Sequence, residues 1–327
     1  GHKGTYPDGK VRQIPEYETT GLLGPNIGNY NPDIIAEWNV ILNEMGIDTI
    51  SFGATLSYVM EATQKGLMKT EFEFGRTDNI TPLIYDVAYK RGFGDEIALG
   101  SRKLSEKYGS KEFAIQVKGL EMAAYDPRGA WGQGLNYAVA NRGGCHLSSF
   151  VVSLEALFGY IPPYTTYGKH VWVKFFEDLW NGVNSLHTCQ FTGFAYMLEP
   201  FVPKITPKPL LSLAMFLMPR VAIMLMDWSI FPDFFSSITG IKINQWEFLK
   251  IGERVEVLER YMNTKIGISK KDDTLPGRFL SKDNSDYKRK STVPLEKMLK
   301  KYYKIRGYDE NGIPTERLLR KLEIKKH

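Results

Sequence analysis

The amino-acid sequence predicts an all-α, multihelical protein made of two helical domains with little β structure. Apolar residues recur at helical spacing along much of the chain, whereas the alternating pattern of a half-buried strand is rare. The chain has 327 residues, of which 43% are hydrophobic and 24% are charged. That composition is typical of a globular protein with a large core, and the length is sufficient for two domains.

The clearest helical segment lies between Asn31 and Gly46. Asn31 is a favoured N-cap residue, and Pro32 suits the first helical position. The apolar residues that follow form one stripe at helical spacing: Ile34, Ile35, Trp38, Ile41, Leu42 and Met45. Weaker patterns of the same kind predict helices over residues 56–65, 80–91, 96–108, 246–263, 295–305 and 315–322.

The best strand signal is FAIQV, residues 113–117, in which apolar and polar residues alternate. A glycine-rich stretch follows and leads into a short helix predicted over residues 135–140. This shift in composition places the predicted domain boundary between residues 1–116 and 117–327. Residues 200–245 are rich in proline and aromatic residues, and we expect them to form an apolar insertion packed on the second domain.

The segment from Pro209 to Trp228 is apolar enough to be examined as a membrane span. A bilayer-spanning helix needs about 20 predominantly apolar residues. Pro219 and Arg220 interrupt the segment in its middle, so we expect two short buried helices and no transmembrane segment. A peripheral or partner-binding hydrophobic surface is the alternative.

Charge and cysteine content indicate which partners and which cellular location to expect. The formal charge is +5, and its excess lies mainly near the C-terminus, which is typical of a solvated face or of a docking patch for an acidic partner. We expect no nucleic-acid partner. Cys145 and Cys189 are the only cysteines, so we expect no disulfide framework and a cytoplasmic location. The chain has no signal peptide and begins Gly-His-Lys, which suggests a piece of a longer protein or a processed chain.

Four segments combine polar residues with glycines in ways that a plain helical bundle does not need. They are PEYET at 15–19, DTISFGA at 48–54, YDPRGAWGQG at 125–134 followed by NRGGCH at 141–146, and NSLHTCQF at 184–191. Glycines before a helix let backbone N–H groups approach a phosphate, and Arg128 adds a bidentate donor. The spacing is not that of a dinucleotide-binding fold, so a tight structural turn is the favoured interpretation.

The adjacency of Cys145 and His146 does not favour a catalytic nucleophile with its base. Neighbouring residues point in different directions, and such pairs usually come from distant segments. His146 follows two glycines and is a candidate pocket residue, with a buried core histidine as the alternative.

Taken in order, these segments resemble the tungsten-containing aldehyde ferredoxin oxidoreductase family. The resemblance rests on PEYETTGLLGPNIG, MGIDTISFGATLSYVMEATQKGL, VKGLEMAAYDPRGAWGQGLNYAVANRGGCHL, NSLHTCQF, LKIGERVEVLERYMN, KKDDTLPGRFL and KYYKIRGYDENGIPT. It covers most of the chain apart from the insertion. It corresponds to the C-terminal half of the family or slightly more, without the N-terminal β-rich pterin-binding domain.

The resemblance implies a set of site residues. In the family, three cluster-binding cysteines precede the region that resembles PEYET, and Cys189 matches the fourth ligand of that [4Fe–4S] cluster. Glu18, His146, Tyr17 and Tyr125 match the catalytic pocket beside the metal. The cofactor contacts implied are Asp48, Ser51, Gly53, Asp126, Arg128, Gly129, Asn141, Arg142, Gly143, Asn184, Leu186 and Thr188. Asn184 stands where the family has aspartate, and an amide cannot accept from two donors as a carboxylate does.

The activity implied is oxidation of an aldehyde to a carboxylic acid (EC 1.2.7.-), with electrons passing through tungsten or molybdenum and the cluster to ferredoxin. The metal is held by the dithiolenes of two pterins, so Cys145 is not required as a ligand. Two alternatives are the tungsten subunit of a benzoyl-CoA reductase-like complex and an inactive fragment or subunit that holds half of the cofactor cage. The expected partners are ferredoxin, the aldehyde, the missing N-terminal domain or subunit, and a second copy in a homodimer.

Overall fold

The computed structural model describes residues 3–6, 8–198, 206–281 and 292–325. Within these ranges the protein is mainly helical, and the named strands form two small antiparallel hairpins. β1 (Lys3–Thr5) pairs with β2 (Val11–Gln13), and β3 (Gln116–Val117) pairs with β4 (Leu120–Glu121). The predicted all-α class is confirmed.

The described residues form sixteen α-helices. In chain order they are α1 (Tyr17–Leu23), α2 (Pro32–Glu44), α3 (Thr49–Gln64), α4 (Ile80–Ala88), α5 (Phe93–Ile97), α6 (Gly100–Tyr108), α7 (Trp131–Val139), α8 (Lys169–Ser185), α9 (Gln190–Leu198), α10 (Lys208–Leu217), α11 (Pro219–Leu225), α12 (Ile230–Thr239), α13 (Gln245–Lys265), α14 (Gly277–Leu280), α15 (Leu295–Arg306) and α16 (Glu316–Lys321).

The chain forms two compact units. As far as the structure describes them, unit 1 comprises Gly1–Ala124, Arg142–Cys145 and Leu275–Asn284, and unit 2 comprises Tyr125–Asn141, His146–Thr274 and Ser285–His327. Unit 1 contains both hairpins, α1 to α6 and α14, whereas unit 2 contains the remaining helices. The domain boundary placed after residue 116 stays a prediction.

Helix α2 in unit 1 agrees with its predicted start and end. The Asn31 side chain accepts hydrogen bonds from the backbone N–H groups of Asp33 and Ile34, at 2.9 and 3.4 Å. Trp38 and Leu42 are fully buried in the core of this unit. Capping and a single apolar stripe therefore suffice to fix this helix.

Two local predictions in unit 1 are wrong. The single helix predicted over residues 96–108 is two helices, because the chain turns at Gly100, which has a φ of 79°. The strand predicted over residues 113–117 is reduced to Gln116–Val117, since a 3₁₀ turn, Lys111–Phe113, precedes it. Phe113, Ala114 and Val117 are buried, so the apolar residues of this segment reflect burial and not a long strand.

Helix α8 in unit 2 has no counterpart among the predicted helices. It is buried on most of its surface, and its core side chains include Trp172, Phe176 and Trp180. Its charged residues also lie inside, so the helix lacks the polar face by which amphipathic helices are recognised. α8 crosses α13 closely at Gly252, where a Cβ atom would lie 1.7 Å from the carbonyl oxygen of Asp178. That approach requires glycine.

Residues 206–245 of the apolar insertion form α10, α11 and α12 in unit 2, and residues 200–205 lie outside the described residues. The expected break near Pro219 is present, but the expectation that both of its first two helices are buried is wrong. Seven of their apolar side chains are 45–66% exposed: Leu210, Leu213, Leu217, Met218, Val221, Met224 and Leu225. In the described part of the chain, no single helix has the length and hydropathy of a membrane span, and only α11 with α12, bent by 47°, meets those criteria as a pair.

Candidate functional site

The PEYET and DTISFGA segments meet inside unit 1. Helix α1 begins at Tyr17, and the buried Thr19 hydroxyl lies 2.7 Å from that of Thr49, at the start of α3. Glu18, in the first turn of α1, is half-buried. Tyr17 is 60% exposed, and its hydroxyl donates to the carbonyl oxygen of Ala124 at 3.4 Å. The two candidate catalytic residues of unit 1 therefore adjoin the first candidate cofactor motif.

Asp48 is the N-cap of α3. Its carboxylate accepts from the backbone N–H of Ser51 at 2.7 Å, and its side chain is exposed. Gly53 lies one turn further on, where a Cβ atom would lie 2.7 Å from the carbonyl oxygen of Leu22. The helix predicted to begin at Leu56 begins seven residues earlier, at Thr49, so its cap at Asp48 was not predicted. The glycine lets α3 pack closely on α1.

The glycines of NRGGCH pack against the β3–β4 hairpin of unit 1. Gly143 has a φ of 109°, and a Cβ atom there would lie 2.5 Å from the carbonyl oxygen of Val117. The backbone N–H of Gly144 donates to that same oxygen at 3.0 Å. Arg142 is exposed and Cys145 is buried. Close packing therefore explains why this pair must be glycine.

Unit 2 brings Tyr125 and His146 together in what we call the aromatic cluster, which consists of Tyr125, His146, Phe150 and Phe191. The centroids of the Tyr125 and His146 rings are 5.8 Å apart, and each ring also contacts Phe150. Phe191 contacts Phe150 at 5.9 Å and is 57% exposed. Two polar, half-buried rings thus lie beside a mainly apolar wall.

Helix α7 holds the loop that carries His146. The side-chain amides of Gln133 and Asn136 each donate to the backbone carbonyl of His146 at 3.4 Å. Their oxygens accept from the backbone N–H groups of Val152 and Ser149, at 3.2 and 2.8 Å. Both amides are fully buried. Neither Gln133 nor Asn136 was predicted as a site residue, although two amide side chains three positions apart in a short, otherwise apolar helix are a signal for buried hydrogen bonds.

The N-terminus of α7 binds a carboxylate side chain of the protein itself, that of Glu155. The backbone N–H groups of Gly132 and Gln133 donate to the two oxygens of the Glu155 carboxylate, at 2.8 and 2.9 Å. Lys169 pairs with Glu155, and both side chains are completely buried. The helix predicted to begin at residue 135 begins at Trp131, so these N–H groups lie in its first turn. They are therefore not available to a phosphate.

Asp126, Arg128 and Gly129 lie in the turn just before α7. The Arg128 guanidinium donates to both carboxylate oxygens of Asp126, from Nε to Oδ1 at 3.1 Å and from Nη2 to Oδ2 at 2.6 Å. Gly129 is exposed, and its backbone N–H donates to the carbonyl of Asp126. Arg128 thus already holds a carboxylate, and the bidentate contact predicted for a cofactor would compete with this pair.

Asn141 is clamped to helix α13. Its amide nitrogen donates to the Glu256 carboxylate at 2.7 Å, and its backbone carbonyl accepts from Asn263 at 2.8 Å. Burial, reinforced by the nearby Glu177 carboxylate, raises the pKa of Glu256 to about 8. The amide oxygen of Asn141 is buried without a hydrogen-bond partner among the described residues. Such an acceptor is commonly satisfied by water or by a ligand.

The NSLHTCQF segment forms the exposed end of α8 and the start of α9. Asn184 is exposed in the last turn of α8, and Leu186 caps that helix. The Thr188 hydroxyl donates to the carbonyl of Val183 at 3.3 Å. Cys189 is a free, exposed thiol directly before α9. The thiol can therefore bind a group that comes from outside the described residues.

The comparisons with known proteins agree with the resemblance predicted from the sequence. The family description "Aldehyde ferredoxin oxidoreductase, domains 2 & 3" matches residues 1–324. The chain belongs to the aldehyde ferredoxin oxidoreductase family. Its predicted fold and family are thus confirmed, and as a family member it is classed with the oxidoreductases.

The chain is similar in sequence to several curated members of the family and to a related subunit. A tungsten-containing aldehyde ferredoxin oxidoreductase of Pyrococcus furiosus is 38% identical over 320 residues, which cover 93% of this chain and 47% of the relative. The enzyme of that name from Thermococcus kodakarensis is 35% identical, over 94% of this chain and 48% of its own length. The WOR-like subunit of an aliphatic sulfonate oxidoreductase from P. furiosus is 26% identical, over 97% and 46%. The chain thus spans about half the length of the curated relatives it matches.

One solved structure is similar in fold to this family member. It is the active site complex BamBC of benzoyl coenzyme A reductase in complex with 1,5-dienoyl-CoA, with a TM-score of 0.65 and 16% sequence identity. The likeness covers 95% of this chain and 49% of the other. At that identity it shows the fold alone.

Proposed function

We propose that this chain supplies the C-terminal part of a tungsten–pterin oxidoreductase that oxidises an aldehyde to a carboxylic acid and passes the electrons to ferredoxin. The observation that carries the proposal is the contact between the Tyr125 and His146 rings beside Phe150 and Phe191. Polar groups that can hydrogen-bond a carbonyl oxygen stand next to an apolar wall that can hold the rest of an aldehyde. The names of the 35–38% identical relatives support the same reaction.

The proposed roles follow from the chemistry of an aldehyde, which with water yields a carboxylic acid, two protons and two electrons. His146 and Tyr125 hydrogen-bond the carbonyl oxygen and make its carbon more electrophilic. Glu18 acts as a general base and Tyr17 as a hydrogen-bond donor, the roles that their match to the family implies. Phe191, which is exposed, excludes water from one side of the substrate.

The described residues fit a pterin-type cofactor at several positions. Asp48 and Asn184 present exposed side chains at helix ends, and Asn141 has an unsatisfied buried oxygen. Carboxylate and amide groups are suitable partners for the N–H and carbonyl groups of a pterin ring. Asp48 in unit 1, and Asn141 and Asn184 in unit 2, would each offer a polar contact to a tungsten–pterin group, which would supply the two-electron redox chemistry.

The fit to an iron–sulfur cluster is limited to one ligand. Within the described ranges, no group of three or more His, Cys, Asp or Glu side chains is placed to bind a metal ion. Cys189 is exposed and Cys145 is buried. A [4Fe–4S] cluster is normally held by four thiolates. Cys189 would therefore contribute one ligand, and the others would come from outside this chain.

The experiment that tests this proposal is aldehyde-dependent reduction of ferredoxin by the full-length protein. We expect activity in the wild type and loss of ferredoxin reduction, with loss of cluster iron, in Cys189→Ala. Cys145→Ala is the control and should retain both, because Cys145 is buried and is not the proposed cluster ligand. Normal iron content and ferredoxin reduction in Cys189→Ala would contradict the role of this thiol.

A basic surface in unit 2 supports ferredoxin as the acceptor. Helices α15 and α16 expose most of the cationic residues of the C-terminal excess: Lys297, Lys300, Lys301, Lys304, Arg317, Arg320 and Lys321. Arg306, from the same run, is buried and bonded to Glu177 and Asp178. Exposed cations steer an acidic protein towards its docking site.

A second candidate function is reduction of an aromatic thioester, as in a benzoyl-CoA reductase-like complex. The aromatic cluster favours it, because the exposed ring of Phe191 can stack on a planar aromatic substrate. Both candidates use the same chain residues and differ in the substrate that the cluster receives.

A further inference from the structure

We propose that the outer side of α10 and α11 docks on an anionic phospholipid membrane, on which the protein rests without crossing it. The docking surface, which we call the apolar face, consists of Leu210, Leu213, Leu217, Met218, Val221, Met224 and Leu225. These side chains are 45–66% exposed within sixteen consecutive residues. Single exposed apolar residues are normal, whereas a continuous group of this kind marks an interaction surface.

The opposite side of the two helices is fixed to unit 2. Met215, Ala222 and Ile223 are buried, and the Trp172 indole N–H donates to the carbonyl of Met215 at 3.2 Å. The hydroxyl of Tyr167 donates to the carbonyl of Leu217, at the break between the helices, at 2.8 Å. The helices therefore have a defined inner side, and the apolar face is a fixed outer side.

The charges around the apolar face favour an anionic lipid surface. Lys208 begins α10 and Arg220 lies in the first turn of α11, and both are exposed. The sequence has no acidic residue between positions 206 and 226. Long basic side chains place their charge at the level of the headgroups while neighbouring aliphatic groups enter the hydrocarbon. Anionic headgroups are the complementary partner of such a surface.

The composition of the apolar face suits a lipid surface. Its seven members are leucine, methionine and valine. A membrane requires only apolar area and compatible charge.

The geometry is that of a surface contact and not of a span. α10 and α11 have ten and seven residues, too few to cross a bilayer of about 30 Å. α12 continues the apolar segment, but Phe231 and Pro232 at its start are buried, and Phe231 packs on Phe248. Residues that hold α12 to unit 2 cannot also enter the lipid.

The experiment is co-sedimentation of the full-length protein with vesicles of phosphatidylcholine containing phosphatidylglycerol. The test variant replaces three members of the apolar face: Leu213→Gln, Met224→Gln and Leu225→Gln. The matched control replaces three equally exposed apolar residues elsewhere: Val11→Gln, Met262→Gln and Ile266→Gln. We expect the wild type and the control to bind the vesicles alike. We expect the vesicle affinity of the test variant to be lower by about tenfold or more. Binding does not need aldehyde oxidation, so the result is independent of the proposed function.

A second variant tests the charge requirement. Lys208→Gln with Arg220→Gln should remove the preference for phosphatidylglycerol over pure phosphatidylcholine, as should raised salt. Thermal unfolding of each variant shows that the fold is retained, since all replaced side chains are exposed. Absence of wild-type binding, or an equal loss in the matched control, would overturn the proposal. A test variant that keeps vesicle binding but loses a concentration-dependent dimer would assign the face to a second copy instead.

Discussion

Replacing Lys169 with methionine is expected to lower the free energy of unfolding by about 3–5 kcal/mol. Lys169 and Glu155 form an ion pair whose two side chains are completely buried in unit 2. Removing the ammonium leaves the Glu155 carboxylate with the backbone N–H groups of Gly132 and Gln133 as its remaining hydrogen bonds. An uncompensated buried charge costs far more than the packing of one side chain. The loss is measured as a shift in the urea midpoint of the full-length protein.

Two controls separate this effect from loss of a salt bridge in general. The double variant Lys169→Met with Glu155→Gln should recover part of the stability, because neither member of this pair is then a buried charge without its partner. Arg76→Met breaks an exposed pair with Asp78 and should change the free energy of unfolding by less than about 1 kcal/mol. A Lys169→Met protein that unfolds at the wild-type midpoint would show that the pair does not hold α7 in place.

The largest effect on activity is expected for His146→Ala and Glu18→Gln. Each should lower kcat/KM for the aldehyde by about 10²–10⁴-fold, which is the usual contribution of a positioned acid, base or hydrogen-bond donor. Viologen reduction measures the rate, and metal analysis confirms that cofactor content is unchanged. Tyr125→Phe keeps the ring contact with His146 and removes the hydroxyl, so it should give a smaller loss.

Matched controls exist for both substitutions. His170→Ala removes an imidazole from a half-buried position, and Glu37→Gln removes a carboxylate from an exposed position. Both residues lie outside the candidate site. Both variants should keep rates within about threefold of the wild type, as for ordinary surface changes. Near wild-type rates in His146→Ala and Glu18→Gln would remove these residues from the mechanism.

The sequence predicted those parts of the fold in which local chemistry decides the structure. Asn31 caps α2, and Thr315 caps α16, because their side chains satisfy N–H groups that no other part of the helix can bond. Helix α8 escaped prediction because its charged residues are buried. Arg306, on α15, donates hydrogen bonds to the carboxylates of Glu177 and Asp178, on α8. This ion pairing joins residues that are more than a hundred positions apart in the sequence. Periodicity in one segment cannot show such a pair.

The candidate site was predicted in a similarly selective way. The resemblance to a known family singled out His146 and Tyr125, and the structure places their rings in contact. Gln133 and Asn136 were missed because they act through the backbone of the His146 loop. The glycine-rich stretch suggested an anion at the start of α7, and the anion is Glu155. A sequence motif can show that N–H groups need a partner without showing which partner they have.

The insertion shows where composition alone was insufficient. Its apolar content predicted burial, but burial depends on whether neighbouring elements cover both sides of a helix. In unit 2 they cover Met215 and Ile223 and leave Leu213 and Met224 exposed. The exposed side is the basis for the proposed membrane contact.

The most direct test of the proposed function is a substrate panel on the full-length, cofactor-loaded protein, read by viologen absorbance. The panel contains aliphatic and aromatic aldehydes and, in the opposite direction with reduced viologen, aromatic coenzyme A thioesters. We predict that aldehydes reduce viologen with formation of the corresponding carboxylic acid, and that thioesters do not oxidise it. Turnover of an aromatic thioester, with no carboxylic acid formed from any aldehyde, would contradict aldehyde oxidation and assign the chain to ring reduction.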